Sequence, residues 1–480
     1  METAAHALAI MSSLRYTPSL HYRCSNTLIV MQTSAPGITS PLTTCDVLVV
    51  GGGPAGSAIS ALLAEKGWDV HVLEKDHHPR FHIGESLLPH SLPILQRLGV
   101  LPEVEKIGIT KYGAEIVSPY HGRSRTLYFS KALDGSQPYS YEVKRAEFDK
   151  ILIDNAVSKG VRVHEGIRAK RVEFRHDSTH LVQAEDRAGT TITYEAKFVV
   201  DASGRDTFLS GQFGGKYRNP SHNSAAVFGH FEGVRRLPGK DEGNISIVWF
   251  DHGWWWIIPF KDGTTSVGAV CWPSYISTRK VPLEQFLWDT IALCAPVAER
   301  MAKATLVGQA YAAANYSYRR STMRGDGYLM VGDAFAFIDP VFSSGVHLAL
   351  NSATLGADVV DAYLRKSPEY QRHLQEFERS VRLGVKTYSW FIYHFTQPAF
   401  RNLFMSEGSK FKMEEAILSI LAGDAFGKSP TRLPIFLFKI AYYLVYLFNF
   451  RENWTAFQRR IRGVPETVTT LKDYALHDRR

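Results

Sequence analysis

Four short stretches of this 480-residue chain hold residue types at spacings that could do chemistry. The first is Gly51-Gly52-Gly53-Pro54-Ala55-Gly56. Its glycines at 51, 53 and 56 permit, in order, a tight turn, the approach of a diphosphate to the backbone, and close contact of a helix with a strand. A helix opening at Pro54 would aim free N–H groups and partial positive charge at that diphosphate. Glu74, 23 residues after Gly51, stands where a carboxylate accepts from ribose hydroxyls. The second stretch is Gly332-Asp333, followed by Asp339-Pro340 and Ser343-Ser344-Gly345-Val346 at a second helix start. The third joins Gly84-Glu85-Ser86 to Lys111-Tyr112-Gly113-Ala114, and the fourth is Trp254-Trp255-Trp256-Ile257-Ile258-Pro259.

These groups need a frame. Asp46 to Val50 reads as a buried strand, Pro54 to about Lys66 as a helix closed by Gly67, and Val70 to Leu73 as a second strand. That strand, turn, helix, strand order with a terminal Glu is the context a dinucleotide-binding loop requires. Strand-like text from Lys111 to Tyr141 is followed by a helix from Arg145 and another strand ending at Asp201-Ala202-Ser203-Gly204. Alternating runs from Ser224 to Trp272 indicate an antiparallel sheet, Tyr328 to Val331 a further strand, and Gly345 to Arg365 a helix. Beyond Pro368 the pattern is helical. The expected class is α/β (α+β), with a discontinuous Rossmann-like domain over 45–365, threaded by an antiparallel substrate sheet at about 111–141 and 215–305. A helical C-terminal domain over 366–462 and a basic tail over 463–480 follow. Residues 1–44 read as a leader, either disordered or preceding the true start.

Composition narrows the function. A formal charge of +8, with no dense basic block inside the body, argues against a nucleic-acid binder. Cys24, Cys45, Cys271 and Cys294 are widely separated, without the pairing of a zinc site or a disulfide framework, which fits a reducing cytoplasm. His77, His78, His82 and His90 flank prolines and lack an accompanying acidic or thiolate ligand set, so no metal is expected. Six of the nine tryptophans fall between Trp249 and Trp288, which marks a local device. Leu433 to Phe450 is apolar but broken by Pro434, Lys439 and Asn449, so it reads as a buried or surface-lying helix with peripheral membrane contact as one role, not as a span.

The glycine loop by itself does not separate FAD from NAD. Gly332-Asp333 with Asp339-Pro340, Asp201-Ala202-Ser203-Gly204-Arg205-Asp206 and Arg145-x-x-Phe148-Asp149 together resemble the para-hydroxybenzoate-hydroxylase-like FAD fold over about residues 45 to 365. The resemblance implies FAD held by Gly51, Gly52, Gly53, Ala55, Gly56, Glu74 and Arg145, with Asp333 on the ribityl chain and Gly345 and Val346 at the flavin edge. Arg80 and His82 would line that edge. Within the fold, Trp254, Trp256, Ile258 and Pro259 match the W-x-W-x-I-P signature of flavin-dependent halogenases, as a wall between flavin and substrate. The Gly84-Glu85-Ser86 turn and Lys111-x-Gly113 resemble the segments carrying that family's halogenating lysine, which makes Lys111 the catalytic residue. Ser344 and Gly345 match the segment whose backbone amides hold chloride or bromide. The tryptophan-halogenase subgroup has Glu where Phe342 stands, so the likeness points to the phenol and pyrrole subgroup. The implied enzyme takes reduced FAD from a separate flavin reductase and halogenates an electron-rich phenolic, pyrrolic or aryl-polyene substrate, free or on an acyl carrier protein. Alternatives from the same fold are a monooxygenase, an isoprenoid or polyene-chain reductase, and a non-catalytic flavoprotein subunit.

Overall fold

A computed structural model describes residues 42–176, 179–218, 224–314, 317–406, 412–426 and 430–461. Most of the expected leader and all of the expected tail lie outside these residues. The last part of the leader is corrected: the first strand is Leu42–Val50, and Leu42, Thr43 and Thr44 pair in parallel with Thr193, Tyr194 and Glu195. Two β-branched threonines suit an extended edge, so the strand opens before the apolar run that marks it in the sequence.

The first sheet runs Arg324–Gly325, Tyr328–Met330, Thr191–Asp201, Leu42–Val50, Val70–Glu74, Arg162–Glu165. The four pairings from Tyr328–Met330 to Arg162–Glu165 are parallel. Parallel strands are covered on both faces, which is why Val47 to Val50 and Phe198 to Val200 are continuous apolar runs and Val70 to Leu73 is apolar but for His71, all buried. Helices Pro54–Glu65 and Ser344–Leu364 pack together, and Arg145–Ser158 packs on the first of them. In consequence Gly51, Glu74, Ala202 and Asp333 gather at the carboxyl ends of adjacent strands, where sheets of this kind bind ligands.

The second sheet runs Thr305–Ala314, Ala225–Glu232, Thr265–Cys271, Gly253–Pro259, Ile245–Phe250, Gly113–Ser118, Arg123–Tyr128. It draws strands from both segments expected to form it and extends to Ala314, whereas Lys216–Arg218 pairs with Tyr318–Arg320 and Ser140–Glu142 with Ile109–Lys111 in separate small sheets. Its pairings are antiparallel except for Ile245–Phe250 beside Gly113–Ser118. One face holds Trp254, Trp256 and Ile258; the other holds Trp255 and Ile257 against Leu283–Ala292. The alternation is the two-residue period of a pleated strand.

The C-terminal helices cover the first of those faces. Tyr370–His394 buries Leu374, Phe377, Val381, Tyr388, Phe391 and Ile392, a repeat of three and four residues that makes one apolar stripe. Gly384 lies in that stripe because a Cβ there would come within 2.2 Å of the Phe426 ring. Helix Arg432–Phe448 behaves differently: only Phe438 and Tyr442 are buried on it.

Candidate active site

The carboxyl ends of the first sheet and the wall strand of the second enclose a cavity of about 690 Å³. Gly51, Gly53, Ala55, Glu74, Arg145, Asp333, Gly345 and Val346 all line it. Gly52 and Gly56 act from behind. The Gly52 N–H donates to Glu74 Oε2 at 2.8 Å, which ties the turn to the end of the second strand. A Cβ on Gly56 would sit 1.8 Å from the Gly51 carbonyl oxygen, so helix and turn meet at this distance only with glycine there. Gly51 adopts φ +105°, a left-handed value that glycine takes without strain.

Beside Glu74 stands a cluster of charges. Arg145 donates to both oxygens of Asp149, at 2.7 and 2.9 Å, and to the Ile83 carbonyl at 2.7 Å. The four-residue spacing puts Arg145 and Asp149 on one helix face. Burial opposes the charge on Asp149, but Arg145 and then Arg80 outweigh it and hold the carboxyl below its usual range. Arg80 reaches Asp149 at 3.3 Å and Glu74 at 3.5 Å, lines the cavity, and keeps a buried Nε without a partner among the described residues. His82, next to it, is driven down to about 4 by burial and then by Arg145, so it is a neutral ring. Across the cavity burial raises Asp333 to about 6, against the pull of Arg205 and Arg145. Asp201 turns its strand end by accepting from the Ser203 N–H at 3.0 Å, its hydroxyl at 2.6 Å and the Leu209 N–H at 2.8 Å, which leaves Arg205 on the cavity wall.

The donor set fits FAD. The glycine cradle and the unpartnered Arg80 donor suit a diphosphate, Glu74 a ribose, and Asp333 a ribityl chain; Trp254, Trp256 and Ile258 close the far end. Pro259 ends the same strand without lining the cavity. The Trp256 indole N–H donates to Ser266 Oγ at 3.0 Å, and a Cβ on Gly268 would fall 2.3 Å from the Trp256 ring, so the facing glycine makes room for it.

Lys111 is not on the cavity surface. Ser86 is, and the Lys111 ammonium donates to Ser86 Oγ at 2.5 Å from a position that is 1% exposed. Strand register brings the two together. Ile109–Lys111 pairs with Ser140–Glu142, which bridges to Ser86 through Glu142. Glu142 lies 3.4 Å from the lysine nitrogen, and the Ser86 hydroxyl donates to it at 3.3 Å. The K-x-G spacing has a steric reason: a Cβ on Gly113 would meet the Leu127 carbonyl at 2.0 Å, while the Tyr112 and Gly113 N–H groups both donate to Asn244 Oδ1 at 2.8 and 2.9 Å. Burial pushes Lys111 below the ordinary lysine value, with Glu142 opposing, and pushes Glu142 up to about 8, with Lys111 opposing. Each charge thus offsets the other's burial, and the carboxylate stands as the group that can take the lysine proton.

The helix start after Asp339 is a built turn. Asp339 accepts from the Val341 N–H at 3.2 Å and from Ser224 Oγ at 3.3 Å, which makes it a cap and not a partner of Asp333 in acid–base work. Ser343 adopts φ +55°, uncommon for a residue with a Cβ, immediately before the helix. Ser343 and Gly345 line the cavity, whereas Ser344 is 1% exposed and does not. The first amides of a helix lack intrahelical acceptors, so those of Ser344 and Gly345 are available to an anion. The four histidines do not meet at one point: His77 and His78 share Glu165, at 3.3 and 2.8 Å, while His82 goes to the Ile83 carbonyl at 2.6 Å and His90 to Asp134. No group of three or more possible metal ligands exists among the described residues. Cys45, Cys271 and Cys294 are buried free thiols.

Sequence reasoning missed Glu142 and Ser343. Glu142 lies 31 positions from Lys111 in an ordinary strand, and only sheet pairing joins them.

The family described as FAD binding domain matches residues 44–367, so the molecule is a FAD-binding oxidoreductase. A 1H-pyrrole-2-carbonyl-[peptidyl-carrier protein] chlorinase of Pseudomonas fluorescens is 29% identical over 405 residues, covering 79% of this chain and 89% of its own. A tryptophan 2-halogenase of Chondromyces crocatus is 37% identical over 325 residues, 66% of this chain; the match spans 61% of that longer relative. Among solved structures, the myxobacterial chondrochloren halogenase is 32% identical, with a TM-score of 0.70 over 90% of this chain and 97% of that one. A flavoprotein/dehydrogenase from Cytophaga hutchinsonii is 28% identical, with a TM-score of 0.76 over 85% of this chain and all of that one. The chain belongs to the flavin-dependent halogenases, with FAD as cofactor and halide as co-substrate.

Proposed function

We propose that this enzyme transfers chlorine or bromine to an electron-rich phenolic, pyrrolic or aryl-polyene ring, free or carried as an acyl group on a carrier protein, with Lys111 as the catalytic residue. The observation that carries the reading is the buried Lys111, held against Glu142 at 3.4 Å and one hydroxyl from the FAD cavity. Reduced FAD, delivered by a separate reductase, would supply with oxygen the oxidant that converts halide to hypohalous acid. The rest is the work of this chain. The Ser344 and Gly345 amides hold the halide at the helix start. Trp254, Trp256 and Ile258 keep the aromatic substrate off the flavin. Ser86 links Lys111 to the cavity, and Glu142 takes the lysine proton, which frees a nitrogen lone pair for halogen transfer. Phe342 stands buried in the core beside Phe391 and Phe395, at ring distances of 6.3 and 5.5 Å, where a carboxylate would be costly. That supports a phenol or pyrrole ring over free tryptophan. The pyrrole chlorinase relative, which acts on a carrier-bound group, supports the acyl-carrier form.

The test is the product mass obtained with reduced FAD, oxygen and bromide on phenols, pyrroles and carrier-bound aryl acids. A bromine isotope pattern is expected. Addition of one oxygen or of two hydrogens would instead assign a hydroxylase or a chain reductase, the latter in keeping with the dehydrogenase-named neighbour. Lys111→Met is expected to retain FAD and consume oxygen with reduced FAD while forming no halogenated product. A Lys111→Met enzyme with undiminished halogenation would remove the assignment.

A further inference from the structure

Helix Arg432–Phe448 carries an outward face with no covering element among the described residues. Every exposed position from Leu433 to Phe450 is apolar or aromatic: Leu433, Phe436, Ile440, Tyr443, Leu444, Leu447, Phe448 and Phe450. At 100° per residue the seven on the helix fall within an arc of roughly 140°, along about 22 Å of helix. Phe448 is 86% exposed, and Leu433 65%. Such a contiguous patch is rare on a surface that meets only water.

Three observations identify what covers it. The helix turns by 92° into Phe450–Ile461, and that corner presents Phe450 and Trp454, stacked at 6.0 Å. Tyrosine and tryptophan beside aliphatic residues are the mixture found at the headgroup level of bilayers. The charges at the two ends of the face are Arg432 and Arg451, both exposed, and no exposed carboxylate lies between them; residues 451–480 carry seven basic and four acidic side chains. The one cation between those ends, Lys439, is drawn back over the Trp390 ring at 4.6 Å and leaves the face uncharged. Finally, the face offers a partner almost no polar groups beyond the Tyr443 hydroxyl, which Trp390 already engages at 3.3 Å, whereas protein interfaces carry about one hydrogen bond per 100–200 Å². No single described helix is long and apolar enough to cross a membrane.

We propose that Arg432–Phe448 lies flat in the interface of an anionic lipid bilayer, with Phe436, Ile440, Leu444 and Leu447 among the acyl chains and Arg432 and Arg451 at the phosphates. The halogenase is thereby a peripheral membrane enzyme that works beside the lipid surface. The inference is independent of the substrate reading above.

The full chain, loaded with FAD, is sedimented with vesicles of phosphatidylcholine containing a minority of phosphatidylglycerol, and with pure phosphatidylcholine. Co-sedimentation with the first and weaker binding to the second are expected. Phe436→Glu with Leu444→Glu replaces exposed side chains only, so FAD retention is unchanged, while partition falls by about a hundredfold, tenfold or more for each large apolar side chain kept in water. Arg432→Glu with Arg451→Glu weakens binding to the anionic vesicles by about thirtyfold or more, at roughly 1 kcal/mol per basic residue near the surface. A chain that stays in the supernatant with both lipids overturns the proposal. So does a lipid-free dimer in ultracentrifugation that Phe436→Glu with Leu444→Glu dissociates, because the face would then belong to a second copy. Retention on an acyl carrier protein that these glutamates abolish, without vesicle binding, would likewise reassign it.

Discussion

Replacing Glu142 by Gln puts the buried pair behind the cavity to a quantitative test. The substitution keeps the shape and the Ser86 neighbour but removes the charge that faces Lys111. At 3.4 Å, with an effective dielectric of about 20, the lost Coulomb attraction amounts to about 5 kcal/mol. A second route gives a ceiling of similar size. The unpartnered lysine can shed its proton instead of remaining charged, and from an ordinary value of about 10.4 that costs about 4.6 kcal/mol at pH 7. Broken buried pairs typically cost about 3–5 kcal/mol. We therefore expect Glu142→Gln to lose about 3–5 kcal/mol at pH 7, read from urea unfolding of the FAD-free protein. The pH dependence has a definite sign. Without Glu142, burial lowers the folded lysine further, so the unfolded chain holds more protons below the ordinary value of 10.5, and stability rises with pH in that window. The deficit should therefore shrink between pH 7 and 10. Lys111→Met combined with Glu142→Leu should recover most of the loss, because two apolar side chains need no pairing. A loss below about 1 kcal/mol with no pH dependence would refute the reasoning and place Lys111 in contact with solvent.

Two further predictions concern the FAD cavity. Gly56→Ala places a Cβ 1.8 Å from the Gly51 carbonyl oxygen, and the purified protein should lose its flavin absorbance and unfold earlier in urea; retention of both would mean that the turn relaxes freely. Asp333 is raised to about 6 by burial, so the stability it contributes is fully present below about 4 and is lost as pH rises through 6. Asp333→Asn should flatten the fall in thermal stability of the FAD-free protein over that window, and an unchanged slope would contradict the burial of its carboxyl.

The parallel sheet and its ligand edge could be read in the sequence because their signals are local. A valine run, a glycine turn and a terminal acid sit within 30 residues, from Asp46 to Glu74, and one short stretch specifies turn, helix and acceptor together. Trp254, Trp256, Ile258 and Pro259 are marked by their likeness to a family signature, and the first three share one face of their strand. What stayed hidden depends on pairing between distant segments. Glu142 meets Lys111 only through the register of Ile109–Lys111 with Ser140–Glu142, and no periodicity in either segment reveals the partner. The likeness marks Ser344 and Gly345 for their backbone amides, and the cavity lining adds Ser343, whose left-handed turn no local signal marks. The C-terminal helix was ambiguous for a different reason. Apolar composition is the same whether a helix packs inside a protein or against another phase, and only its neighbours distinguish the two.

The alternation of Trp254, Trp255 and Trp256 carries one more consequence. Which indoles line the cavity is decided by parity. A one-residue slip of Gly253–Pro259 against Thr265–Cys271 would swap the faces of Trp254 and Trp255 and send the wall into the core beneath it. Individual wall residues can therefore drift in kind, within the space that Gly268 leaves, while insertions or deletions inside the paired strand must come in twos to keep the faces.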